Sequence, residues 1–214
     1  MQPVSIAKPP GEPLAPWFSA PDTADGVALQ RFECTSRGDR LAGRIWAPVD
    51  APQRAPLLLA LHDLGRDARD PPLADAARGW AHAALTTVAI DLPLHGERHN
   101  AKLSRRALAG AAGGPDAALW STLLAQAVCD LARALDALAE RASEPVAGVV
   151  SVAFGASAPI ALAHAQLDAR IAHVAVVGPA PPQREPPAAP AAKPIHSVER
   201  PDDLVAWLKA ATGT

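Results

Sequence analysis

The chain of 214 residues holds only two cysteines, Cys34 and Cys129. Two thiols cannot build a disulfide framework or a cysteine-based metal knuckle. Net charge is nearly absent: 20 basic residues face 22 acidic ones, for a formal net charge of -2 and a pI near 6.4. Such a balance offers no basic face to nucleic acid or to an anionic membrane. There is no heptad, collagen period or internal repeat, and the opening stretch MQPVSIAKPPGEPLAPWFSAPD lacks the charged-then-apolar layout of a secretion signal. One stretch, Pro145 to Leu167, is free of Asp, Glu, Lys and Arg. Its length would permit a membrane-spanning helix. Gly148, Gly155 and Pro159 interrupt it, however, and its valine-rich start reads as a buried strand followed by a small-residue helix. A soluble, cytoplasmic chain is therefore expected.

Alanine is what the chain has in abundance: 50 alanines supply almost half of the 49% counted as hydrophobic. The strongly apolar remainder suits one core, and a chain of this length buries about 70% of its unfolded surface as a single domain. Many of the 23 prolines fall in residues 1–25 and 178–194. The first segment reads as an extended arm and the second as a Pro/Ala-rich loop within a single domain, 26–214.

Strands and helices alternate along that domain. Residues 29–35 and 41–47 flank a Gly-Asp turn and predict a hairpin. The apolar run at 56–61 predicts a fully buried strand. A helix over 72–84 and a strand over 85–91 follow. A glycine-rich loop at 110–114 precedes a long helix over about 116–142, whose Leu119, Leu123, Leu124, Val128, Leu131, Leu135 and Leu138 keep a spacing of three and four. Then come a strand over 146–152, a helix over 155–166, a strand over 171–177 and a last helix over about 201–211. This is the pattern of an α/β fold: a mostly parallel, doubly wound sheet with an antiparallel amino-terminal hairpin. Lys102, Arg105 and Arg106 form the densest basic cluster and read as a solvated surface turn. Gly110, Gly113 and Gly114 lack the order of a dinucleotide loop.

In open parallel sheets, ligands bind beyond the carboxyl ends of the strands. Those ends read LALHDLGRD (59–67), AIDLPLHGERH (89–99) and VVSVAFGAS (149–157). Together they resemble the α/β-hydrolase family, of the esterase and dienelactone-hydrolase type. His62-Asp63-Leu64-Gly65 is similar to the family's His-Gly-x-Gly oxyanion loop. Asp91-Leu92-Pro93-Leu94-His95-Gly96-Glu97-Arg98 is similar to its segment after the fourth strand. The tail from His196 to Leu204 resembles the region around the catalytic histidine, which makes His196 the expected base; as a bare sequence it is simply a histidine before a terminal helix.

The resemblance implies a serine at a strand-to-helix turn, in G-x-S-x-G. Aligned on that pattern, Ser151 takes the first glycine slot, Ala153 the serine slot and Gly155 the second glycine slot. A methyl group cannot attack a carbonyl, and without the serine the histidine has no proton to accept. No acid with a strand before it lies between Val177 and His196, where Glu185 is the only carboxylate, so the sheet is expected to be truncated in its late strands.

Three functions are open on these residues. In the first, the fold has lost serine chemistry and keeps a cleft that binds a small carbonyl or carboxylate ligand or a partner. The backbone N–H groups of Leu64 and Phe154, with Ala153, His62 and His95, would line it. In the second, the chain is an active carboxylic-ester hydrolase using Ser157 or Ser151. In the third, His62, Asp63, Asp91, His95 and His99 hold a metal that activates water; on their motif positions His62, Asp91 and His95 read instead as braces of loops. No cofactor is expected, Cys34 and Cys129 read as buried apolar residues, and a homo-oligomer is compatible with the arms.

Overall fold

The computed structural model describes residues 11–50, 57–142, 146, 148–178 and 193–212. Nine strands form one mixed sheet: β1 (Trp17–Phe18), β2 (Asp22–Ala24), β3 (Val27–Ser36), β4 (Asp39–Pro48), β5 (Leu57–Leu61), β6 (Thr86–Ile90), β7 (Val149–Phe154), β8 (Ile171–Val177) and β9 (Ile195–Val198). Five helices accompany them: α1 (Leu73–His82), α2 (Ala101–Ala111), α3 (Ala117–Ala142), α4 (Ala158–Leu167) and α5 (Pro201–Thr212). The spatial order is β1-β3-β4-β6-β5-β7-β8-β9, with β2 also paired to β3. Strands β1 to β4 pair antiparallel, β4 meets β6 antiparallel, and everything from β6 to β9 is parallel. The β3–β4 hairpin turns through Arg37 and Gly38, at φ 51° and 79°. Two residues at positive φ match the right-handed twist of the flanking strands.

Leu58, Leu59, Ala60 and Leu61 of β5 are fully buried. A central parallel strand is covered on both faces, which is why its sequence does not alternate. On one face α1 and α5 bring Leu73, Trp80, Leu204 and Leu208 against Leu58, Val152 and Phe154. On the other, α3 and α4 bring Leu131, Leu135 and Ile160 against Phe32, Leu59 and Ile90. The Trp80 indole N–H donates to the Pro201 carbonyl at 2.9 Å and ties α1 to the start of α5. The uncharged run 145–167 resolves into β7 and α4, and no helix among the described residues is long and apolar enough to cross a membrane.

Three elements differ from the sequence expectation. Lys102, Arg105 and Arg106 belong to α2 rather than to a turn. That helix buries only Ser104, Ala107 and Gly110, so it carries no leucine stripe to announce it. Its first turn is capped by Asn100, whose Oδ1 accepts from the Leu103 N–H at 3.0 Å, and mid-helix Arg106 pairs with Asp116 at 2.6 Å. A short strand, β9, adds to β8 at the late edge of the sheet, where no apolar run predicted one. Of the amino-terminal arm, residues 11–25 carry β1 and β2, and Leu14 joins the core with 9% of its surface exposed. Residues 1–10 and 179–192, which include Glu185 and most of the Pro/Ala-rich loop, lie outside the described residues.

Candidate functional site

β6, β5 and β7 lie side by side and parallel, so their carboxyl ends bring the segments after Ile90, Leu61 and Phe154 to one rim. That rim is the ligand-binding edge of an open parallel sheet.

His62 follows β5 and is buried. Its Nε2 accepts from the Leu92 N–H at 3.0 Å, which fixes the proton on Nδ1, and Nδ1 lies 2.9 Å from the Asp63 carbonyl. A neutral imidazole uses one nitrogen as donor and the other as acceptor, and burial accordingly holds this histidine below its ordinary pKa. Asp91 follows β6. Its Oδ1 accepts from the Ala68 N–H at 3.0 Å and its Oδ2 from the Glu97 N–H at 3.1 Å. Gly96, at φ 53°, passes so close to this carboxylate that a Cβ there would overlap it. His62 and Asp91 thus brace loops. His95 stands 5.2 Å from His62, ring to ring, and places its Nδ1 2.9 Å from the Pro93 carbonyl. Its Nε2 is buried with no hydrogen-bond partner among the described residues, and burial lowers its pKa as well. His99 is exposed. With these donors committed, no group of three or more His, Cys, Asp or Glu side chains among the described residues is placed to hold a metal ion.

The turn after β7 falls two residues later than the sequence alignment has it. Ala153 is still a strand residue, paired with Leu61 and Val176 and fully buried. Phe154 closes the strand, and its ring lies 6.1 Å from Trp80. The chain then bends at Gly155, with φ 53°, into one 3-10 turn and α4. Only a sharp turn of this kind lifts a side chain clear of the sheet, and an L-residue tolerates positive φ poorly. The motif therefore reads Ala153-Phe154-Gly155-Ala156-Ser157, with Gly155 in the nucleophile slot and small residues in the two outer glycine slots. Small residues two positions either side of Gly155 are the signal in the sequence for this register.

Two backbone N–H groups converge beside this turn. The expected pair was Leu64 and Phe154; the pair observed is Leu64 and Ala156, because the residue after the slot supplies the second donor. Both point at the same atom, Asp63 Oδ1, each at 2.8 Å. A Cβ on Gly155 would lie 2.8 Å from that carboxyl group. Asp63, in the place of the family's glycine, is read in the sequence only as a candidate metal ligand; its part as acceptor for these two N–H groups is what sequence reasoning missed.

The two other serines stand elsewhere. Ser157 is fully buried, with its Oγ 2.9 Å from the Phe154 carbonyl and 3.3 Å from that of Leu61. Ser151 is buried in β7 between Leu59 and Val174, and its Oγ has no hydrogen-bond partner among the described residues. His196 lies within β9, two strands from β7, paired with Ala175. Its ring is 4.1 Å from Trp207 of α5 and 5.8 Å from His173, and burial together with His173 lowers its pKa. The structure therefore does not bring His196 to the turn at Gly155. Both cysteines are buried, and burial pushes the Cys34 thiol up to about 12 and raises that of Cys129.

A cleft of about 620 Å³ opens along the same rim, between the loop after β5 and α2. Arg66, Asp67, Asp70, His95, His99, Ser104 and Arg105 contribute its polar lining, and Leu94 and Leu108 its apolar one. Asp67 is paired with Arg69 at 2.7 Å, whereas Arg66 and Arg105 have no ion pair among the described residues.

No protein-family profile matches the sequence. No curated protein matches it significantly. Solved structures do match the fold. An esterase from an Arctic intertidal metagenomic library superposes with a TM-score of 0.57 at 19% identity, over 73% of this chain and 63% of that one. An acetyl xylan esterase from a Paenibacillus species gives 0.58 at 18% identity, over 78% and 54%. Another from a Thermoanaerobacterium species gives 0.57 at 16% identity, over 78% and 52%. The chain thus spans between half and two thirds of the length of these structures. The strand order, the parallel rim and these superpositions agree on one architecture: this chain has the α/β-hydrolase fold.

Proposed function

We propose that this chain uses the α/β-hydrolase scaffold to bind a small carbonyl- or carboxylate-bearing molecule, without serine hydrolysis. The observation that carries this reading is Gly155 at the strand-to-helix turn. Serine chemistry needs a hydroxyl at that turn and a base within hydrogen-bond reach of it. Gly155 supplies no side chain, and His196 packs on Trp207 instead. Two features support binding: the Leu64 and Ala156 donors converge on one oxygen, that of Asp63, and the cleft along the same rim carries Arg66 and Arg105 beside Asp67 and Asp70.

A second reading, ester hydrolysis, draws its support from the esterases among the similar structures. It requires Ser157 to leave its bond to the Phe154 carbonyl and emerge from the 3-10 turn that precedes α4. A fluorophosphonate probe and p-nitrophenyl acetate separate the two. We expect the wild-type protein to be neither labelled nor active. Turnover that is lost in Ser157→Ala, with the label mapped to Ser157, would overturn the binding reading in favour of the second.

A further inference from the structure

Asp63 occupies the seat that the scaffold keeps for a substrate oxygen. From this we infer that Asp63 is a built-in carboxylate occupant of that seat, closing it to outside carboxylates until its side chain swings away. The inference rests on the binding reading above and adds to it the ligand class and the device that controls access.

Three observations on separate backbone segments lead to it. Leu64 lies in the loop after β5 and Ala156 in the turn after β7, yet both N–H groups donate to one oxygen, Asp63 Oδ1, at 2.8 Å. Two donors aimed at a single oxygen are what an oxyanion seat requires, and donors at 2.7–3.1 Å are within its working range. Next, the room for the rest of the carboxyl group exists only because residue 155 has no side chain: a Cβ there would stand 2.8 Å from Asp63 Cγ, Oδ1 and Oδ2. Finally, Ala156 is exposed and Asp63 is half-buried, so the seat lies at the surface and not in the core.

A carboxylate already fits the seat, so a carboxylate is the chemistry it selects. The ligand's charge would replace that of Asp63 on the same two N–H groups. Leu64 is followed directly by Gly65, Arg66 and Asp67, which form one wall of the cleft.

Chemical rescue tests the inference directly, with formate as the probe. Amide proton shifts of Leu64 and Ala156 report the two hydrogen bonds, in wild type, Asp63→Ala and Asp63→Asn. In wild type both amides should lie downfield, and formate should move neither. In Asp63→Ala both should shift upfield, and formate should return them downfield together, where chloride at equal ionic strength does not. Asp63→Asn keeps an acceptor in the seat without the charge. Its amides should lie between the other two, and formate should leave them there. The inference is overturned if formate moves the wild-type amides as readily as those of Asp63→Ala. It is equally overturned if formate fails to restore them in a folded Asp63→Ala protein, or if, should that variant not fold, the Asp63→Asn amides match wild type. Ester turnover by the wild type would sink the binding reading, yet none of these shifts depends on it.

Discussion

Ser36, the last residue of β3, donates its hydroxyl to Asp130 Oδ1 on α3 at 2.6 Å, and both side chains are sealed from solvent. The same carboxylate accepts from Gln126 at 2.6 Å and from Arg98 at 2.5 Å. One buried acid thus joins the hairpin, the loop after β6 and the longest helix. Breaking a buried pair by removing one partner strands the other charge. Asp130→Ala should cost about 3–5 kcal/mol, and Ser36→Ala about 1 kcal/mol, in urea unfolding. Equal losses in the two variants would show that the Arg98 charge is not stranded.

Gly155 and Asp63 should be energetically coupled. A methyl group at 155 meets both a positive φ and the Asp63 carboxyl. Gly155→Ala should destabilise the wild type by about 1–3 kcal/mol. In an Asp63→Gly background the steric part disappears and only the backbone strain remains. A double-mutant cycle should therefore return a coupling of at least about 0.5 kcal/mol. Strict additivity would place Asp63 away from the turn in solution.

Gly43 on β4 faces Phe32 across the hairpin, and a Cβ there would enter the Phe32 ring and lie 2.8 Å from the Ala89 carbonyl. Phe32 is fully buried and cannot yield outward. Gly43→Ala should cost about 3 kcal/mol or more, the upper end for overpacking, read as a fall in thermal midpoint. The second change Phe32→Leu should recover part of it. A Gly43→Ala protein as stable as wild type would mean that the ring sits elsewhere.

Acid should destabilise the fold through its histidines. Burial holds His62, His95 and His196 below the ordinary value, opposed for the first two by their bonds to the Asp63 and Pro93 carbonyls. The unfolded chain protonates these groups near the ordinary histidine value, about pH 6.5. Below that point the unfolded state binds more protons than the folded one, so stability is complete above about pH 6.5 and is lost as pH falls through the lower folded values. The urea midpoint should drop over that window, and less steeply in His62→Gln, whose side chain retains a donor and an acceptor. A midpoint that rises on acidification would contradict this sign.

Much of the fold is legible in the sequence because burial leaves a periodic mark. The run Leu57–Leu61 and the leucine spacing of α3 announce their elements directly. Helix α2 leaves no such mark, since it buries only Ser104, Ala107 and Gly110. Strand β9 escapes for a related reason: four residues with exposed Ile195 and half-buried His196 look like a loop until β8 lies beside them. The site was legible as a rim and a set of motifs, but not in register. A two-residue slip moved the slot from Gly155 to Ala153, because the sequence shows which residues are small and not where the backbone bends. The role of Asp63 was beyond reach, since its two donors lie 1 and 93 positions away along the chain.

The commitment of both ring nitrogens of His62 has a mechanical consequence. One grips Leu92 after β6 and the other lies against the Asp63 carbonyl, so the imidazole works as a fulcrum between neighbouring loops. The Asp63 backbone is clamped at its carbonyl, while its carboxyl group is held by the Leu64 and Ala156 N–H groups. Release of that carboxyl group would then be a side-chain rotation over a fixed point, with the sheet beneath left in place.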